Sequence, residues 1–123
     1  MRRVYLQEFN AASTVIAYGA NIRYPQNPAL PEPFHLQPNE YYLVVGRLIP
    51  DNNADLLLEG FIAANSSKKL VIVGDVPYKD AYANAIKAKA ANNIIFLGYI
   101  TNSETLAELY HHCFAYLHGH EFG

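Results

Sequence analysis

Cysteine is nearly missing from this 123-residue chain: Cys113 stands alone, so no internal disulfide can form, which fits a reducing, cytoplasmic setting. Charge is sparse as well, at 16% of residues with a formal net charge of -2. This balance argues against a nucleic-acid partner held by a broad basic surface. No apolar run approaches the roughly 18 residues needed to span a bilayer. The opening "MRRVYLQEFN" lacks the long apolar core of a secretory signal. No G-x-G-x-x-G follows any strand-like run, which argues against a dinucleotide dehydrogenase. No G-x-x-x-x-G-K-[ST] occurs, so the chain is no P-loop ATPase. A phosphate-receiving signalling domain would want an acidic pair after its first strand, and none is there.

What the chain does have is apolar residues, 51% of the total, enough for one folded domain with a core. Residues 1–24 read as an N-terminal strand, Thr14 to Ala17, with an inter-domain segment. Residues 25–39 hold five of the seven prolines (Pro25, Pro28, Pro31, Pro33 and Pro38) and read as an extended linker, because proline lacks a ladder donor and blocks helix. From 40 to 123 a rhythm sets in. "YYLVVG", "KLVIVGD", "NIIFLG" and "FAYLHG" are continuous apolar strands, and amphipathic helices separate them. Leu57, Leu58, Phe61 and Ile62 share one face of the first helix; Tyr82, Ala85, Ile86 and Lys89 are in register on the second. The third is expected to start with Thr101 at its N-cap and Glu104 three residues on. This alternation indicates an α/β fold: a Rossmann-like parallel sheet with helices on both faces, joined by right-handed crossovers. The chain stops where another crossover helix is expected, so it reads as part of a larger domain.

In open parallel sheets, ligands sit beyond the carboxyl ends of the strands. Those ends are Gly46-Arg47, Gly74-Asp75, Gly98-Tyr99 and the run from His118 through Gly119, His120 and Glu121. A glycine directly after three of the apolar runs admits a ligand close to the backbone, although each alone also suits an ordinary turn. Arg47 stands beside the helix that begins near Asn53, which supplies a cation and helix-dipole character for an anion. The plain alternative is a surface arginine paired with Asp51 or Asp75. The histidines of "HHCFAYLHGH" fall into two groups at opposite ends of a strand and lack the spacing of a metal site. Cys113 reads as a small core residue.

The ordered blocks "YYLVVGRLIPDNN", "LLLEGF", "KLVIVGD", "NIIFLGYI", "LAELY" and "CFAYLHGHEFG" resemble the carboxyl-terminal, donor-binding domain of family-4 retaining glycosyltransferases of the two-domain GT-B fold. The flavour is that of the bacterial rhamnosyltransferase-like branch. The resemblance implies that Arg47 clamps the diphosphate of a nucleotide-sugar. Asn52 stands where most members carry a lysine, followed by Asn53. Gly46, Gly74, Gly98, Tyr99, Ile100, Gly119 and His120 would lie along the donor site, with Ile100 and its neighbours near the base. His118 and Glu121 would approach the reacting sugar, although "Glu121-Phe122-Gly123" is one residue short of the family's "E-G-F-G". The implied reaction moves a sugar to a hydroxyl of a glycan or lipid-linked acceptor with retention, without a metal or other cofactor. The acceptor-binding domain would lie outside this chain, and peripheral membrane attachment of the whole protein is compatible with it. Activity is expected of that whole protein rather than of these residues alone. A different class of reading is a non-catalytic fragment that self-associates; an epimerase or hydrolase related to the GT-B enzymes is a third.

Overall fold

The computed structural model describes residues 2–20, 22–24, 34–76, 80–89 and 91–120. Most of the proline-rich stretch and Glu121 to Gly123 lie outside the described residues. Each apolar run forms a strand: β1 (Tyr41–Val45), β2 (Lys69–Val73), β3 (Ile94–Gly98) and the two-residue β4 (Ala115–Tyr116). The helices are α1 (Arg2–Phe9), α2 (Ala54–Ala64), α3 (Ala81–Ala88) and α4 (Ser103–His112), and a short 3-10 turn covers Pro50–Asn52. Among the described residues no helix is long and apolar enough to cross a membrane.

The strands form one sheet in the order β3-β2-β1-β4, and every neighbouring pair is parallel. The fold is thus the Rossmann-like α/β arrangement read from the sequence. Consecutive side chains of a strand point to opposite faces, and here both faces are covered. Val44, Leu70 and Ile72 pack on one side with Ala54, Leu58 and Phe61 of α2 and Ala83 and Ile86 of α3. Tyr41, Leu43, Val71 and Val73 pack on the other with Leu109 of α4 and Leu36. This is why the strands carry apolar residues continuously rather than alternately. Leu43, Leu58, Leu70 and Leu109 are completely buried, each contributing about 1.5–3 kcal/mol. Tyr41 is buried too. Its hydroxyl donates to the Leu109 carbonyl at 2.7 Å, tying α4 to β1, and burial pushes its ionisation up.

The strand order positions the site. The chain steps from β1 to β2 to β3 in one direction, then crosses back through α4 to lay β4 on the far side of β1. Crossovers of one hand put helices on opposite faces when the direction reverses. α2 and α3 accordingly cover one face and α4 the other. Between β1 and β4 the loops leaving the strands diverge, and a crevice opens there.

Several local expectations are corrected. Thr14 to Ala17 joins no strand, with Val15 and Ile16 71% and 89% exposed; the N-terminal element is the helix α1, which buries no residue. The β-branched residues favour an extended chain, but a strand needs a partner edge, and none is paired here. On α2 the buried stripe is Ala54, Leu58 and Phe61, while Ile62 points outward; on α3 it is Ala83 and Ile86, and Ala85 is exposed. The cap of α4 is Asn102 rather than Thr101, its Oδ1 accepting from the amides of Glu104 at 2.9 Å and Thr105 at 3.0 Å. Asparagine caps at least as well as threonine, so the helix starts one residue later than the Thr-x-x-Glu spacing suggests.

Candidate functional site

The carboxyl rim begins with three glycines in backbone contact. The Gly46 amide donates to the Val73 carbonyl at 2.9 Å, and the Gly74 amide to the Gly98 carbonyl at 2.7 Å. Gly74 has φ +122°, and a Cβ built there would lie 2.0 Å from the Gly46 oxygen. No other residue fits that position.

After Gly46 the chain passes through Arg47 and Leu48 into the Pro50–Asn52 turn. The proline pre-sets the turn, and Asn53 closes it at φ 47°, a left-handed conformation that asparagine tolerates better than most residues. Both asparagine side chains point into the structure. Asn52 Nδ2 donates to the Arg47 carbonyl at 2.8 Å, and Asn53 Nδ2 donates to the Gly119 carbonyl at 2.8 Å. Gly119 lies flat on the turn: a Cβ there would come within 2.6 Å of the Asn52 oxygen. The loop after β1 is therefore braced on itself through Asn52 and tied to the loop after β4 through Asn53.

Between them is a cleft of ≈ 340 Å³, lined by Gly46, Arg47, Asn52, His118 and Gly119 together with Leu48, Ala54, Leu57 and Leu117. Arg47 is exposed, and among the described residues its guanidinium has no hydrogen-bond or ion-pair partner. The pairing with Asp75 weighed from the sequence is pre-empted, because Lys87 Nζ holds that carboxylate at 2.6 and 2.7 Å. α2 borders the cleft through Ala54 at its first turn. Its next residue, Asp55, turns toward α3, where the Tyr82 hydroxyl donates to its carboxylate at 2.7 Å and lowers its ionisation range.

The other residues singled out from the sequence are spread along the rim. Gly74 backs onto Gly46. Gly98 ends β3 and Tyr99 follows it, at the sheet edge with two strands between it and β4. The Tyr99 ring is 66% exposed, and Ile100 packs against the α4-side core. The structure thus gathers Gly46, Arg47, Asn52, His118 and Gly119 into one cleft, and leaves Gly98, Tyr99 and Ile100 outside it. His118 stacks between Tyr116 and His120, at centroid distances of 6.0 Å to each, and its Nδ1 lies 3.3 Å from the Tyr116 hydroxyl. Glu121 lies outside the described residues. The apolar contributors Leu48, Leu57 and Leu117 were not foreseen; they are ordinary core leucines until the crevice shows which of them face it.

Among the described residues no three His, Cys, Asp or Glu side chains converge. His112 Nε2 lies 3.3 Å from Glu108 Oε2 in a nearly buried i,i+4 pair at the end of α4. Cys113 is half-buried against the α4-side core, its Sγ donates to the Tyr110 carbonyl at 3.2 Å, and burial raises its thiol.

The Asp75–Lys87 pair gives a pH prediction. The hydrogen bond from Lys87, then the Val76 amide at 2.8 Å, hold Asp75 below the ordinary carboxylate range. A group whose ionisation is depressed on folding contributes stability fully above its unfolded value of about 3.9, and loses it as pH falls through the lower folded value. Urea midpoints measured from pH 6 down to pH 2.5 are expected to fall more steeply below pH 4 for the parent chain than for Lys87→Met. Parallel profiles would contradict this coupling.

The crevice lies at the point where the strand order of this parallel α/β sheet reverses, the place where sheets of this class receive ligands, and among the described residues the Arg47 side chain at its edge has no partner. Residues 29–121 match the family described as Glycosyl transferases group 1, and the chain belongs to that family. Among solved structures it is similar to the crystal structure of TarM, at 26% identity with a TM-score of 0.45. That match covers 72% of this chain and 18% of TarM, so the chain spans less than a fifth of that protein. No curated protein matches it.

Proposed function

We propose that this chain is the donor-binding part of a retaining GT-B glycosyltransferase of the family-4, rhamnosyltransferase-like kind, holding the diphosphate of a nucleotide-sugar in the cleft between β1 and β4. The observation that carries this is the Arg47 guanidinium, exposed at the cleft and without a partner among the described residues. A charge left unpaired beside main chain at Gly46 and Gly119 suits a bidentate phosphate contact. In transfer, the developing charge on the leaving diphosphate is met by Arg47 and by backbone amides, an electrostatic contribution that strengthens as the bond breaks. The reading calls for no metal or further cofactor. Glu121 and His118 are the candidates nearest the sugar, and Gly98, Tyr99 and Ile100 the candidates for the base. The acceptor, a glycan or lipid-linked hydroxyl, would be held elsewhere in the whole protein, at the cytoplasmic side of a membrane.

Thermal shift of the 123-residue chain with millimolar UDP, dTDP and GDP tests this. A ligand that binds only the folded state raises the melting temperature. Stabilisation by at least one of the three is expected, and no response to any of them would overturn the reading.

A second reading, association between copies, is favoured by a separate observation. An open apolar groove of ≈ 280 Å³ runs between α2 and β4, lined by Tyr42, Leu56, Leu57, Phe61 and Leu117. Leu56 and the nearby Phe114 are 59% and 53% exposed. Surfaces of this kind promote association, and light scattering that reports a monomer would dispose of it.

A further inference from the structure

We infer that Asn52 and Asn53 are positioning residues of the donor site, two adjacent amides that set the gap between the Arg47 loop and the Gly119 loop. This deepens the donor-binding reading and rests on it.

The geometry carries the inference. One loop leaves β1 and the other leaves β4, and these strands are joined by the short pairing of Tyr42 with Ala115 and Leu43 with Tyr116, whose last main-chain bond runs from the Leu117 amide to the Leu43 carbonyl. So short a ladder fixes strand direction but constrains poorly what lies three residues beyond it. At the rim Asn53 makes the connection across to the second loop, and Asn52 braces the Arg47 loop from within. Asn52 Nδ2 donates to the Arg47 carbonyl, and Asn53 Nδ2 to the Gly119 carbonyl, each at 2.8 Å. Both acceptors are main-chain oxygens of residues that line the cleft. Both donors come from one turn whose geometry is set by Pro50 and by the left-handed backbone of Asn53. A lysine or glutamate at position 52 has no short amide to reach back to its own loop. An aspartate at 53 would set a carboxylate against a carbonyl. The residue type at each position therefore answers a need for a donor at short reach. Gly119 completes the contact from the opposite side, since any side chain there would strike the Asn52 oxygen.

The bracket acts on the ligand through Arg47. A guanidinium contributes to anion binding only when held within a few tenths of an ångström of its optimum, and the Arg47 side chain has no other anchor among the described residues. Its main chain must supply the placement. Neither asparagine needs to touch the ligand.

The test uses four variants of the 123-residue chain, with the affinity of whichever nucleoside diphosphate binds best measured by calorimetry. Asn53→Gly removes the amide while suiting the positive φ, so backbone strain does not confound it. Asn52→Ala removes the other donor, Gly119→Ala forces the loop off the turn, and Arg47→Ala removes the cation. Each of the first three is expected to weaken binding about 3- to 10-fold. Combined with Arg47→Ala they should lose little more than Arg47→Ala alone, because residues acting through one another are non-additive. Asparagine variants that bind as the parent does, or whose losses simply multiply with that of Arg47→Ala, would overturn the bracket and leave the donor-binding reading standing. A parent chain that binds no nucleoside diphosphate would overturn both. Should Asn53→Gly fail to fold, Gly119→Ala probes the same contact from its other side and decides in its place.

Discussion

Gly74→Ala is expected to cost roughly 2–6 kcal/mol, from a strained backbone conformation and an overpacked contact that reinforce each other. The backbone at 74 is at φ +122°, and the added methyl would be 2.0 Å from the Gly46 carbonyl oxygen, an atom that cannot swing aside. To make room, β1 and β2 must part where their ladder ends, which also disturbs the Gly74 amide bond to Gly98. Against a total stability of about 5–15 kcal/mol for a domain, that is a large fraction. Gly60 supplies the control. It lies inside α2 with nothing within 4 Å of a built Cβ, so Gly60→Ala is expected to stabilise by about 0.5–1 kcal/mol through helix propensity. Urea denaturation of the two variants measures both. A Gly74→Ala midpoint within the error of the parent chain would show that the rim is not packed as described.

The second large effect concerns the ligand rather than the fold. Arg47→Ala is expected to weaken binding of a nucleoside diphosphate about 10- to 100-fold, the value of one or two charge-assisted hydrogen bonds, and to leave the melting temperature of the unliganded chain within a degree or two. The two halves of the prediction have one cause: an exposed guanidinium with no partner among the described residues contributes little to folding, and all of its charge is available to an anion. Arg47→Lys should recover part of the loss, since a lysine restores the charge without the planar fork. Asn52, on the turn that follows Arg47, is uncharged and offers no second cation. Isothermal titration of the three proteins decides it. Equal affinities for parent and Arg47→Ala would remove the proposed site from the β1–β4 cleft.

Much of the fold was legible because the signals are local. Apolar runs of four or five residues ending in glycine, such as "LVIVG", state a buried strand and its end together. The existence of α2, α3 and α4 was equally plain, whereas α1 was not foreseen. Boundaries and faces were less so: Asn102 displaced Thr101 as a cap because two good capping residues stand side by side, and Ile62 turned outward because a helix with apolar residues at 57, 58, 61 and 62 offers more of them than one sheet face can cover. The strand expected at Thr14 to Ala17 failed for a different reason. β propensity describes what a residue does on a sheet, and no sheet edge is paired with that segment.

The candidate site was half legible. That a cation follows β1 was visible in "VVGRLIP", and so was a set of strand-end glycines. Their partition was not. Whether Gly98 and Tyr99 share a cleft with Arg47 depends on whether β3 or β4 lies beside β1, and that is a matter of strand order. The roles of the two asparagines were hidden too, since their acceptors include a carbonyl 66 residues away.

The sequence by itself determined the alternation of strands and helices, the burial of both sheet faces and the presence of an arginine at the end of the first strand, because each is encoded in the order of neighbouring side chains. Only the tertiary structure decided that β4 returns to the open side of β1, that Lys87 takes Asp75, that Arg47 has no partner among the described residues, and that the turn after β1 is tied to the loop after β4. Those outcomes turn on which surfaces meet after the chain has crossed the sheet, and residues far apart in sequence carry no local mark of it.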